Sequence, residues 1–554
     1  MYFNRKIYFL LIVITGLFLS CKDLDELNIN PNGVDPSVAH PNLLMSTVIS
    51  GVGQTVVNLG FGDIAGVMQH TQKDGWSGSH NAYDWTPNQD WGSFYGILRN
   101  EEAMYRKAVS MGLKFHQGVA LVMKAYTYGL ITDLWGDAPY TFALKGEEGG
   151  EENIRPPYDS QSSIYRAILA DLDTAAVLFS EKAANYEGID PVQDILYEGK
   201  VEKWRKFANS LALRYYMRLS VKDPDFAKEG IERIVDHPDL YPLILNANDD
   251  ANMAYPGTNQ SDSWPSNAVY SQLKQGSYMR LKMCATLVDT LQALDDPRLP
   301  VWGRKIDIPI VVDSANADTT RDEIVDGIRY VGRYIAFKYD STYGYPIDTD
   351  PEWVGMPPAW STVPQAYNLN PNLEQAPDNP HCSRLNERYM KASGPLLVSR
   401  MMSAAEVHFI IAEAALRGWT GEDARQHYEE GVRASLTAWG VGGDFDDYIT
   451  HPGVVFDGTI EQVLEQKWIA SWTAAMEAWS DYRRTGYPAL KAGPYAKRDE
   501  LPLRFYYSVK ELDFNTQNCR AAIENLEETP FTAPDDKNSA WSKMWLLQGT
   551  GKPY

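Results

Sequence analysis

The sequence predicts a mainly α-helical protein. Degenerate tetratricopeptide-like helix pairs form its body, and a large irregular, loop-rich region is set into them. Two observations predict this. Apolar residues recur at helical spacing in segment after segment, and some of these segments are joined by a short glycine-bearing turn. Two long stretches, near 69–100 and 249–399, replace that periodicity with Pro, Gly, Asn and aromatic residues.

The chain opens with Arg5 and Lys6, an apolar run from Ile7 to Leu19, and Ser20. This is the pattern of a secretory signal over residues 1–20. The run is shorter than the roughly 20 residues a bilayer span needs. Cys21 after Ser20 reads as a bacterial lipobox, with Phe18 departing from the usual aliphatic residue. Cys21 is therefore the expected lipidation site, and residues 21–40, rich in Asn, Pro and acids, are its flexible tether.

Residues 41–554 read as one helical domain. Phe115, Val119, Val122, Met123 and Tyr126 mark a helix ending near Gly129. Ile164, Ile168, Leu169 and Leu172 mark another, and Trp204, Phe207, Leu211 and Tyr215 a third. Ser403 and Glu406 form a capping box before Val407, Ile410 and Ala414, and Gly418 stops that helix. A partner follows from about Glu422 to Trp439, stopped by Gly440, and a further helix runs from Ile460 through Trp468 and Trp472. The run Ile306–Val312 inside the second irregular stretch is strand-like.

A net charge of −22 repels phosphate backbones and excludes nucleic acid as a partner. The spacing of Cys284, Cys382 and Cys519 supports no zinc or redox motif, and at most one disulfide could form among them. The scattered histidines, His70 and His80 among them, read as surface or loop residues, and Asn246–Asp250 as a solvated turn. No metal or cofactor is expected. No hydrolase signature surrounds any of the 73 acids, so no catalytic residue is assigned. Arg214 and Arg218 at i, i+4, and Asp481 beside Arg483 and Arg484, read as interhelical ion pairs.

The 16 Trp are the informative excess. An indole offers a flat apolar face and one N–H, which suits sugar rings as well as cores. Trp76, Trp85, Trp91 and Trp264 lie among Asn, Asp and Ser, and Trp353 and Trp360 fall in the second irregular stretch. These six, with Asn81, are the candidate ligand-binding residues. The spacing of Trp91, Phe94 and Leu98 also fits a core.

Several strings carry a family resemblance: Arg155-Pro-Pro-Tyr-Asp-Ser-Gln161, Lys203-Trp-Arg-Lys-Phe-Ala-Asn-Ser-Leu211, Ser399-Arg-Met-Met-Ser-Ala-Ala-Glu406, Glu477-Ala-Trp-Ser-Asp-Tyr-Arg-Arg484 and Pro502-Leu-Arg-Phe505. In this order, and with Cys21, the chain resembles the SusD/RagB-like lipoproteins of Bacteroidetes. The acidic cluster Asp23, Asp25, Glu26 is similar to the export tag of surface-displayed lipoproteins of that phylum. The resemblance implies a lipid-anchored, surface-exposed outer-membrane protein without enzymatic activity. Its role would be to capture a nutrient, most often a glycan, and deliver it to a SusC-type TonB-dependent transporter. Peptide capture on the same scaffold and a surface glycoside hydrolase are the alternative readings.

Overall fold

The computed structural model of the chain describes residues 40–73, 78–270, 276–343, 345–360, 367–368 and 379–551. The predicted signal, Cys21 with the tether up to residue 39, and Trp76 lie outside them.

The helices of nine or more residues are, in order, α1 (Pro41–Gly60), α2 (Gly92–Ser110), α3 (Lys114–Trp135) and α4 (Gln161–Leu178). Next come α5 (Val201–Arg218), α6 (Pro224–Val235), α7 (Ala285–Ala293) and α8 (Arg333–Tyr343). The last are α9 (Ala404–Leu416), α10 (Ala424–Ala438), α11 (Ile460–Ala470), α12 (Ala475–Thr485) and α13 (Thr516–Glu524). From α1 to α6 each helix packs on its sequence neighbour, and α9 packs on α10, as helix pairs require. Helix α5 also meets α9 and α12, joining the two halves into one body.

Helix α3 runs through Gly129 and ends at Trp135, where Gly136 takes φ 94°. The missing side chain at Gly129 is filled from outside: a Cβ there would lie 1.9 Å from the Tyr215 hydroxyl oxygen of α5. The glycine permits close packing and does not stop the helix. At α9 only half of the expected capping box forms. Ser403 Oγ accepts the Glu406 N–H at 3.2 Å, but the Glu406 carboxylate turns to Arg214, at 2.7 and 2.6 Å.

The predicted ion pairs are interhelical and buried. Arg214 joins Glu406 and Glu477, Arg218 joins Glu477 and Asp133, and Lys467 and Arg484 share Asp481. Arg483 departs from this pattern; it donates to the carbonyls of Asp133 and Leu503. Two further sequence expectations are corrected. His70 and His80 are interior, with His70 Nε2 3.1 Å from the Trp468 carbonyl and His80 Nε2 3.1 Å from Thr71 Oγ1. Asp250 is buried and accepts the Ala404 N–H at 2.8 Å, so it is not part of a solvated turn. Cys284, Cys382 and Cys519 are buried.

Short strands organise the irregular stretches: β1 (Thr71–Lys73), β2 (Ala251–Ala254), β3 (Leu281–Met283), β4 (Ile310–Asp313), β5 (Asp322–Val325), β6 (Ile328–Gly332) and β7 (Val398–Met402). β1 pairs antiparallel with β3, Gln72 opposite Lys282, which ties the first irregular stretch to the second. β2 pairs antiparallel with β7. β4, β6 and β5 form a small sheet in that order, with β4 parallel and β5 antiparallel to β6. Under this sheet Ile310, Val331, Tyr339, Met356 and Trp360 make a satellite core separate from the main one.

Candidate functional site

The strand pair β1–β3 continues into a bridge between Cys284 and Met356, and Gly303 bridges Leu385. These pairings bring Trp353 against the 300–305 turn. Asp350 Oδ1 accepts the N–H groups of Glu352 and Trp353, both at 2.8 Å, and so fixes the approach of the indole. The ring lies against Gly303, where a Cβ would meet its Cζ3 at 3.2 Å. The result is a surface cleft of about 330 Å³ lined by Pro300, Arg304, Lys305, Trp353, Asn386 and Glu387.

The cleft is charged but balanced. Lys305 pairs with Glu352, Arg304 with Asp307 and Glu387, and Arg384 with the same Asp307. Such exposed pairs stabilise the fold by only about 0–1 kcal/mol each. Their effect here is to leave a rim of polar groups without net charge. The half-buried Trp353 makes no hydrogen bond through its indole N–H to any described residue. An aromatic wall, an available donor and a neutral polar rim suit a polyhydroxylated ligand better than an ion.

The other sequence candidates lie elsewhere. Trp85, Trp91, Trp264 and Trp360 are buried, so their faces are not open as stacking platforms. The indole N–H of Trp85 donates to the Ser79 carbonyl at 3.0 Å, that of Trp91 to Glu511 at 3.0 Å, and that of Trp264 to Ser266 Oγ at 2.9 Å. Trp85 packs edge-on against Trp479 and Phe505, Trp264 lies among Phe61, Tyr255 and Tyr389, and Trp360 sits in the satellite core beside Tyr339 and Tyr367. Asn81 is also buried; it accepts the Lys73 N–H at 2.7 Å and donates to the Lys73 carbonyl at 2.6 Å, closing its own loop. For Trp85, Trp91, Trp264 and Asn81 the cause is shared: a buried indole or amide needs a polar partner, so Trp or Asn beside short polar residues also describes an interior corner. Trp353 is the candidate that lines a cleft among the described residues.

Several exposed aromatics escaped the sequence reading, two of them on one helix. Tyr334 and Phe337 on α8 are 53% and 68% exposed, on the side away from the buried Tyr339. The signal was present as apolar residues on both faces of one helix. A larger groove, of about 970 Å³, runs beside α1 and α2. Its aromatic is Tyr95, whose hydroxyl is already donated to the Pro139 carbonyl at 2.6 Å.

The interior carboxylates serve packing. Burial disfavours charge on Glu477 and Asp481, but Arg214 and Arg218 around the first, and Lys467 and Arg484 around the second, outweigh it and hold both pKa values below the usual range.

A family model described as SusD-like, starch-binding and associating with the outer membrane matches residues 34–328 and 362–508. Among solved structures, a SusD homologue of Bacteroides fragilis superposes with a TM-score of 0.69 at 22% identity, over 92% of this chain and 100% of its own. A chitin-binding SusD homologue of Flavobacterium johnsoniae gives 0.65 at 20% identity, over 91% and 99%. A SusD-like protein of Bacteroides thetaiotaomicron gives 0.66 at 22%, over 91% and 98%. No curated protein matches the chain.

Proposed function

Because this chain belongs to the SusD-like family of starch-binding proteins that associate with the outer membrane, we propose that it captures a glycan at the cell surface and delivers it to a SusC-type TonB-dependent transporter. Lipidated Cys21 holds it to the membrane, and residues 21–40 give the body reach. The Trp353 cleft is the contact we assign to the ligand, together with Trp76. The observation that carries this reading is the cleft itself: an aromatic wall with an available indole N–H inside a charge-balanced rim. Stacking with a few hydrogen bonds gives the modest affinity that a protein releasing its cargo needs.

The test is calorimetric titration of residues 22–554 with neutral oligosaccharides, acidic oligosaccharides and peptides, followed by analysis of the solutions for turnover. Saturable binding of a neutral oligosaccharide without turnover is expected, weakened about tenfold by Trp353→Ala, which is about 1.4 kcal/mol. Binding of peptides alone would transfer the role to peptide capture. Turnover of any saccharide would make the protein an enzyme and overturn the reading.

A further inference from the structure

We infer a second saccharide site, sized for a single ring, where the C-terminal residues close over the start of α4. It shares no residue with the Trp353 cleft, and it rests on the glycan-capture reading for its ligand class. The cleft holds about 230 Å³ and is lined by Asp137, Ser160, Tyr507, Asn525, Trp545 and Gln548, among others.

The amides of Asn525 and Gln548 are each held by a bond that leaves the side-chain oxygen available. Asp137 is fully engaged: Oδ1 accepts the Gln161 N–H at 2.8 Å, Oδ2 accepts the Asn525 amide at 3.0 Å, and its carbonyl accepts the Tyr507 hydroxyl at 2.9 Å. This anchors Asn525 by its NH₂ group and leaves its side-chain oxygen as an acceptor. Gln548 donates through Nε2 to the carbonyls of Asn525 and Lys543, at 2.7 and 3.2 Å, and keeps its own side-chain oxygen. Lys222 donates to the Gln548 carbonyl at 2.7 Å while its Nζ sits 5.1 Å from the centre of the Trp545 ring. The half-buried Trp545 makes no hydrogen bond through its indole N–H to any described residue.

Two amide oxygens, the Trp545 indole N–H and the face of the same ring thus belong to the lining of the cleft. A ring with neighbouring hydroxyls complements them, since each hydroxyl both donates and accepts. The one carboxylate and the one ammonium at the site are both engaged and opposite in sign, so a neutral sugar is favoured over a uronic acid or an amine. Size sets the length: the cleft falls below the roughly 300–1,000 Å³ of sites for larger ligands and takes one ring, not a chain.

Saturation-transfer NMR on residues 22–554 tests this, with methyl glycosides of glucose, galactose, mannose and N-acetylglucosamine as probes. At least one glycoside should show transfer, reduced at least fivefold in Trp545→Ala and unchanged in Trp353→Ala. Trp545→Phe keeps the apolar ring and removes the N–H, so it should give an intermediate loss with an unaltered melting temperature; this separates lost binding from lost fold. Transfer equal in Trp545→Ala and the parent protein would overturn the site. So would oligosaccharide binding in calorimetry without transfer from any glycoside, and in that case the glycan-capture reading survives. Failure of every saccharide, short and long, would overturn both.

Discussion

Glu413 lies at the centre of the buried ion network. Its side chain is inaccessible, and it accepts from Arg484 at 2.6 Å and from Arg417 at 2.8 Å. Burial opposes its charge, but Arg484 and Arg417 outweigh burial and hold its pKa below the usual range. The assembled pair adds little net stability because desolvation offsets its attraction, whereas removing one partner strands the other charge. Glu413→Ala should therefore cost about 3–5 kcal/mol in urea unfolding. Glu102→Ala, which breaks the exposed pair with Arg106, should cost no more than about 1 kcal/mol. Equal losses would show that the network does not hold the helices. At this scale the sequence was legible where a residue has few alternatives. Arg214, Arg218 and Asp481 could enter a helical interior only as pairs, and they do so. Trp85, Trp91 and Trp264 were not legible, because an indole satisfied by Ser79, Glu511 or Ser266 has the same local sequence as one awaiting a ligand.

Elements were legible wherever the apolar period was clean, and their ends were legible only where chemistry marks them. Asp423 caps α10 by accepting the N–H groups of Arg425 and Gln426, at 2.9 and 3.2 Å, within about a residue of the expected start. Gly129 misled because a glycine inside a helix and a glycine ending one look alike without the partner helix. Its role leads to a prediction with two opposed terms. Gly129→Ala gains about 1 kcal/mol of helix propensity. It also drives a methyl group into Tyr215, whose Cζ lies 2.3 Å from the ideal Cβ position and whose hydroxyl is held 3.2 Å from the Ala125 carbonyl. Overpacking of this kind costs about 1–3 kcal/mol. Tyr215 is buried among α3, α4 and α5 and has no route outward, so the steric cost should prevail and the melting temperature should fall. A rise would mean that α3 and α5 can separate freely. The irregular stretches were legible as interruptions but not as structure. β1 and β3 pair across more than two hundred residues of sequence, and no local period can report that.

Across the whole molecule the buried titratable groups set how stability responds to pH. Burial drives His70 down to about 3 and His80, His116, His381 and His408 down to about 4, from an ordinary value near 6.5. Between those values and 6.5 the unfolded chain binds protons that the folded chain refuses, so stability rises with pH through that window and is lost as pH falls through it. Five carboxyls act in the opposite sense, Glu101, Asp348 and Glu465 among them, all raised by burial. Burial raises Asp250 to about 7 and Asp289 to about 6, so between about 4 and those values the folded state holds the extra proton and stability falls as pH rises. Five histidines oppose five acids, so the two sets largely offset each other between about pH 4 and 6.5. Below about 4 the paired carboxylates Glu413, Glu477 and Asp481 bring a net loss, because their folded values lie under the unfolded ones. The melting temperature, followed at constant ionic strength from pH 7.5 to 2.5, should change little down to about pH 4 and fall steeply below it. His408→Gln should tip the balance toward the acids, so that stability rises on acidification from pH 6.5 to about 4, because it removes one proton acceptor from the unfolded chain without adding a charge to the fold. A melting temperature that does not fall below about pH 4 would show that Glu413, Glu477 and Asp481 are not held as buried ion pairs.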